Sequence, residues 1–113
     1  MLLLAFALSA NIQQQELKRA YADALTGVYI MSICSSDLSI VGRLRSRIEL
    51  AKTRATERGY ADTIERAEAM FQGDLAESNY LCLANSSQSA ADAARQSVES
   101  LEAAVTNIPV HNR

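Results

Sequence analysis

A chain of 113 residues has room for a single domain with one hydrophobic core. Its composition is 49% hydrophobic and 21% charged, with four glycines and one proline, which excludes a disordered chain and favours helices over strands. The net charge of −2 argues against the basic balance that is usual in nucleic-acid-binding domains.

The first ten residues, MLLLAFALSA, form a short apolar run. A helix of this length is too short to span a bilayer. The run resembles the apolar core and small-residue cleavage region of a secretory signal, with Ala7 and Ser9 at positions −3 and −1 for cleavage after Ser9. No Lys or Arg precedes the run, so the alternative is that residues 1–10 are the buried apolar start of the first helix.

The first helix is predicted over residues 12–33, with Asn11 as its N-cap and Gln14 as the partner of that cap. Apolar residues recur there at steps of three and four, at Leu17, Ala20, Tyr21, Ala24, Val28 and Met31. The pattern then breaks at a short polar segment, in which Ser36 or Asp37 can cap a second helix.

The second helix carries the most ordered pattern in the chain, between residues 41 and 58. Its apolar seam consists of Val41, Leu44, Ile48, Ala51 and Ala55. Four arginines lie on one flank of that seam and are called the basic stripe here: Arg43, Arg47, Arg54 and Arg58. Residues 43–58 hold six basic side chains against two acidic ones, whereas residues 59–113 hold three basic against eight acidic.

The basic stripe has two interpretations. In the structural one, the arginine stems cover the edge of the seam and their heads meet acidic groups of the third helix, or water. In the functional one, the stripe faces a protein partner, an anionic membrane surface or nucleic acid. Nucleic acid is the least favoured of these partners, because the chain is acidic overall and has few aromatic side chains for base stacking.

The third helix is predicted to begin near Ala61, after Gly59 ends the second helix in the left-handed conformation. Its apolar line is Ile64, Ala67, Phe71, Leu75 and Cys82. Gly73 inside this helix would allow a neighbouring helix to approach closely. The four tyrosines are interpreted as residues at the edge of the core: Tyr21, Tyr29, Tyr60 and Tyr80.

The fourth helix is predicted to start at Ser89, which forms a capping box with Asp92, and to stop at Pro109. Residues 110–113 are predicted to be a flexible tail. The helix has a clear heptad pattern that could also seat on a second copy, giving a possible self-association seam of Ala91, Ala94, Val98, Leu101, Val105 and Ile108.

Together these segments predict an all-α fold, an antiparallel bundle of three to four helices in one domain over residues 11–109. Cys34 and Cys82 would lie at the same end of such a bundle, which predicts one disulfide between them. The alternative is two buried thiols in a cytosolic protein.

Little in the sequence points to catalysis, and no cofactor or metal is predicted. The only histidine, His111, lies in the tail, and the glycines are too far apart to form a phosphate-binding loop. Glu65 and Glu68 are one helical turn apart and could do acid–base chemistry, although such pairs are usually a solvated face.

We therefore expect a non-enzymatic exported helical protein, periplasmic or secreted, that acts by binding a protein partner or by self-association. A cytoplasmic location is the alternative. A stress chaperone that exposes apolar surface in acid is a second possibility, because small disulfide-bonded helical chaperones of the bacterial periplasm are similar in size and carry one cysteine pair. A small carboxylate-dependent enzyme is the third, and it would need a concave pocket holding acidic residues with raised pKa values.

Overall fold

The chain forms four helices, in a computed structural model that describes the backbone of residues 2–34, 37–77 and 86–110. Side chains are described for residues 12–34, 37–75 and 89–110. The helices are α1 (Leu2–Cys34), α2 (Leu38–Glu57), α3 (Ala61–Glu77) and α4 (Ser86–Asn107). The described part of the chain contains no strand, so the all-α prediction is confirmed.

Consecutive helices run in opposite directions, as contacts among the four helices show. Lys52 of α2 meets Glu68 of α3 across the turn at Gly59, while Arg58, just beyond α2, reaches Ile108, just beyond α4. α1 packs against all three other helices and most extensively against α4, whereas the described residues of α3 and α4 do not touch each other. The 33 residues of α1 would span about 50 Å at 1.5 Å per residue, which accounts for the long axis of 53 Å.

Most of the core comes from the apolar seams that the sequence predicts. In the predicted line of α3, Ile64 and Ala67 are buried, whereas Phe71 and Leu75 are only partly buried. All five seam residues of α2 are buried, and α1 contributes Leu17, Tyr21 and Met31, among others. Each buried Val, Leu, Ile or Met side chain contributes on the order of 1.5–3 kcal/mol relative to an exposed one. None of the helices in the described part of the chain is long and apolar enough to cross a membrane.

Helices α1 and α4 approach each other closely at Gly27 of α1. A Cβ atom placed there would lie 3.3 Å from Ala94 Cα and 3.4 Å from Ser97 Oγ, so the absent side chain lets the backbones of α1 and α4 come together. The close approach predicted at Gly73 is wrong, because a Cβ atom there would have nothing within 4 Å.

Two of the predicted helix ends are confirmed. Asp37 caps α2, since its Oδ1 accepts hydrogen bonds from the Ile40 amide (3.3 Å) and the Ser39 hydroxyl (2.7 Å). These bonds hold the pKa of Asp37 below its ordinary value. Gly59 has φ of 97°, the left-handed conformation that ends α2 at little steric cost for glycine.

Two other predicted caps are wrong. Asn11 lies inside α1, which already begins at Leu2, because the Leu- and Ala-rich run favours helix and no glycine or proline separates it from the rest. Ser89 lies inside α4, which begins one turn earlier at Ser86. The predicted continuation of α3 to Cys82 falls outside the described residues, since α3 is described to Glu77.

Candidate functional site

Arg47 of the basic stripe is paired with α4. Its Nε donates to Glu102 Oε2 at 3.0 Å and its Nη2 to Oε1 at 2.5 Å, with both side chains 39% exposed. The hydrogen bonds from Arg47, helped by the charges of Arg47 and Arg54, hold the pKa of Glu102 below its ordinary value despite partial desolvation. The prediction that Arg47 meets an acidic group of α3 is therefore wrong, because this flank of α2 faces α4.

Arg58 caps the carboxyl end of α4. Its Nη1 donates to the carbonyl oxygens of Val105 (2.6 Å), Thr106 (3.4 Å) and Ile108 (3.2 Å), and the Tyr60 hydroxyl donates to Pro109 O at 2.7 Å. A cation suits this position because the last carbonyls of a helix have no partner within the helix and carry partial negative charge.

The other two arginines of the stripe are exposed. Arg43 Nε donates to Ser39 O at 3.5 Å on its own helix, and Arg54 acts on Glu102 by charge alone. Half of the stripe thus holds α4 in place, and the hypothesis of an anion- or partner-facing surface remains a prediction for Arg43 and Arg54.

The predicted self-association seam lies within the core of a single chain. All six of its residues are buried, with exposures from 0% to 7%: Ala91, Ala94, Val98, Leu101, Val105 and Ile108. A second copy cannot reach them while α4 stays packed against α1 and α2, so any self-association must use another surface.

The cysteines and the histidine are only partly described. Cys34 is the last residue of α1 and packs against the core. Cys82 and His111 lie outside the described residues, so a bond between Cys34 and Cys82 stays a prediction.

Glu65 and Glu68, the acidic pair of α3, differ in their surroundings. Glu68 Oε1 lies 3.4 Å from Lys52 Nζ, while Glu65 is exposed. Among the described residues, no group of three His, Cys, Asp or Glu side chains could hold a metal ion. The pKa values of Asp37 and Glu102 are shifted downward, opposite to the direction needed by a carboxylic acid that donates a proton near neutral pH.

A cleft of about 420 Å³ lies between the first three helices, one turn beyond the Lys52–Glu68 pair. Buried Val28 and Ile48 form its floor. The remaining lining residues are Leu25 and Tyr29 of α1, Arg45 and Glu49 of α2, and Phe71 of α3. These seven residues are called the α1–α2–α3 cleft here.

Two aromatic rings stand together in this cleft. Tyr29 and Phe71 meet edge to face, with ring centroids 6.2 Å apart and planes at 71°. Tyr29 is 38% exposed and Ile33, one turn further along α1, is 48% exposed, so apolar surface continues out of the cleft. The interpretation of Tyr29 as a residue at the edge of the core thus leaves out its position in an open cleft.

Arg45 and Glu49 bring opposite charges to the lining of the cleft. Tyr21, one turn before Leu25 on α1, is buried, and burial together with the nearby carboxylates of Glu68 and Glu49 raises the pKa of its hydroxyl. The arrangement therefore combines an apolar floor, aromatic edges and opposite charges, which suits binding of an amphipathic group.

A second concavity, of about 460 Å³, lies on the other flank of α1. Apolar side chains and the aliphatic stems of charged ones line it. The lining residues are Ile12, Gln15, Glu16, Arg19, Ala20 and Asp23 of α1 with Ser100 of α4. These residues are called the α1–α4 groove here.

Neither concavity can be found from the sequence pattern, because each needs the relative placement of two or three helices. The available signal was weak: Tyr29 and Ile12 are large apolar residues that lie off the apolar seam of α1. Comparison with family models, with curated proteins and with solved structures gave no match to this chain.

Proposed function

We propose that this is a non-enzymatic helical protein that acts through its surface, by binding a segment of a protein partner in the α1–α2–α3 cleft. The observation that carries the proposal is an open apolar cleft with two aromatic rings at its edge. Its volume falls within the range of ligand-binding pockets, and exposed aromatic side chains are enriched at protein interfaces.

The occupant that fits best is an amphipathic helix of the partner. Leu25, Tyr29 and Ile33 are spaced four residues apart on α1 and form an apolar line along which such a helix can lie. Arg45 and Glu49 at the rim take part in no ion pair with a described residue. They can therefore pair with one acidic and one basic residue that flank the buried apolar side chain of the partner.

We further propose that the protein is exported to a periplasmic or extracellular location and carries a disulfide between Cys34 and Cys82. The position of Cys34 at the end of α1 supports the bond, because α1 and α3 run in the same direction and Cys82 follows the end of α3. The apolar run of residues 1–10 supports export, because it resembles a signal sequence.

The test is photocrosslinking in the native cells, followed by measurement of affinity. A photoreactive residue at Ile33, beside the cleft, is compared with one at Leu50, which is 50% exposed on another face of α2. The protein captured only at Ile33 is then purified and titrated against the wild type, Tyr29→Glu and the matched control Leu50→Glu.

We expect Tyr29→Glu to weaken binding by about tenfold or more, since a carboxylate would have to be desolvated in an apolar contact. Leu50→Glu should bind like the wild type. Equal affinity of all three proteins, or equal capture at both positions, would rule out the cleft as the docking site.

A stress chaperone active in acid is the second candidate, favoured by the pair of Arg47 and Glu102 that joins α2 to α4. Protonation of Glu102 would weaken this contact and could expose the seam of α4. Binding of a hydrophobic dye and protection of a client protein should then rise on acidification. Dye binding and client aggregation that do not change between about pH 7 and pH 3 would exclude this function.

A further inference from the structure

We propose that the end of the α1–α2–α3 cleft nearest Leu25 binds a cationic group, a primary ammonium or a guanidinium, through Tyr21, Glu49 and Glu68. These three residues are called the cation site here. The inference rests on the proposed function, because the cation that we expect there is a lysine or arginine side chain of the docked partner.

Tyr21 of α1 is the buried side chain on which the proposal depends. It lies on the same face of the helix as Leu25 and Val28, four and seven positions further on, which both line the cleft. Tyr21 is only 2% exposed, and its hydroxyl makes no hydrogen bond with a described residue. Since the described residues contain no sealed side-chain polar atom without a partner, this oxygen still reaches the surface. An incoming donor can therefore contact it.

Two carboxylates surround this hydroxyl with negative charge. Burial and the charges of Glu68 and Glu49 raise the pKa of Tyr21, so the phenol stays protonated near neutral pH. Glu49 lines the cleft and makes no ion pair with a described residue. Glu68 uses Oε1 for its contact with Lys52 at 3.4 Å, which leaves its other oxygen to accept a further hydrogen bond.

A cation satisfies these groups better than an anion or a neutral molecule does. A phenol oxygen can accept a hydrogen bond and ionised carboxylates can only accept, so all three residues offer lone pairs to an N–H donor. Hydrogen bonds from a charged donor to a carboxylate are stronger than those between neutral groups. An anion would be repelled by the two carboxylates.

Arg45 determines at which end of the cleft the cation binds. It lies one turn before Glu49 on α2, and α2 runs opposite to α1, so Arg45 lies toward Tyr29 and Glu49 toward Leu25. A cation at the Tyr29 end would be repelled by Arg45. The partner is therefore expected to present its basic residue to the cation site and its acidic residue to Arg45.

The experiment measures the binding of three aromatic probes of similar size that differ in charge: phenethylammonium, phenethyl alcohol and hydrocinnamate. Each is titrated into the isotope-labelled full chain, and the shifts of backbone amide NMR signals give the affinity and the place of binding. The variants are Tyr21→Phe, which removes only the hydroxyl, and Glu49→Gln, which removes only the charge. Glu65→Gln, an exposed change on α3, is the matched control.

We expect phenethylammonium to bind about threefold or more tightly than phenethyl alcohol, and hydrocinnamate to bind most weakly. Tyr21→Phe and Glu49→Gln should each weaken binding of the ammonium by about threefold to tenfold, whereas Glu65→Gln should match the wild type. Tyr21→Phe should be at least as stable to denaturant as the wild type, because the lost hydroxyl has no hydrogen-bond partner in the described part of the chain.

Equal affinity for the three probes, or ammonium binding that neither variant changes, would overturn the inference and leave the cleft as a docking site. Shifts confined to amides away from Leu25 and Glu49 would overturn it as well, as would a failure of every probe to bind. Docking of the partner is measured separately with Tyr29→Glu. If that variant bound the captured partner normally while the ammonium bound as expected, the proposed function would fail and the cation site would stand.

Discussion

Arg47 and Glu102 join α2 to α4 through hydrogen bonds that require an ionised carboxylate. The pKa of Glu102 is lowered in the folded chain. Its stabilising contribution is therefore fully present above the ordinary pKa of a glutamate and is lost as the pH falls through the lower, folded value. Because both side chains are well exposed, solvent screens the pair and limits its strength.

We predict that Glu102→Gln lowers the free energy of unfolding by about 0.5–1 kcal/mol at neutral pH, and by progressively less as the medium is acidified. Urea unfolding at about pH 7, 5 and 3 would measure the difference from the wild type. Glu65→Gln, an exposed change on α3, serves as the control. A difference that stays constant over this pH range would show that the charge of Glu102 does not contribute.

The helices differ in how far their bounds could be predicted. α2 was predictable at both ends because local signals determine it: Asp37 caps it and Gly59 ends it. The start of α1 was not, because a uniformly apolar run lacks the periodicity that distinguishes a continuing helix from a separate segment.

The placement of the functional surfaces was less predictable than the helices. The direction in which the basic stripe faces depends on which helix packs on each flank of α2, and the sequence does not contain that information in local form. An apolar seam such as that of α4 suits a hydrophobic core and a dimer interface equally well. Only the burial of its residues in the single chain shows that it belongs to the core.

Substitutions at two glycines inside helices should have opposite effects on stability, because only Gly27 lies in the contact between α1 and α4. Gly73→Ala should stabilise the protein by about 0.5–1 kcal/mol, because it adds helix propensity in open space. Gly27→Leu should destabilise it by about 1–3 kcal/mol, since the new side chain must push the backbone at Ala94 away.

Denaturant unfolding of both variants beside the wild type would measure these effects. Gly27→Ala should lie between them, because the gain in helix propensity opposes a contact that is only a few tenths of an ångström too short. If Gly27→Leu were as stable as the wild type, the two helices could not be in close contact at this position.

For the whole molecule, we predict that the protein is exported and that it carries a bond between Cys34 and Cys82. Alkylation under denaturing conditions, followed by intact mass measurement, should label no thiol before reduction and two after it. The mature chain should begin near Ala10 or Asn11. An intact Met1 with two labelled thiols before reduction would contradict both the export and the bond.

The same bond has a measurable thermodynamic effect. Cys82 follows Cys34 by 48 positions, and closing a loop of that length stabilises a protein by up to about 4 kcal/mol in the chain-entropy model. We expect the double variant Cys34→Ser with Cys82→Ser to lose stability toward that limit. The wild type measured with reductant is the control, and it should match the double variant.

The most extensive helix contact joins the first helix of the chain to the last one. During synthesis, α1 therefore emerges long before α4, and the contact between these two helices cannot form until α4 has been made. For a secreted chain this order is an advantage, because a translocation channel accepts unfolded polypeptide. The topology would thus favour the export that we propose, since the chain would stay unfolded during passage through the membrane.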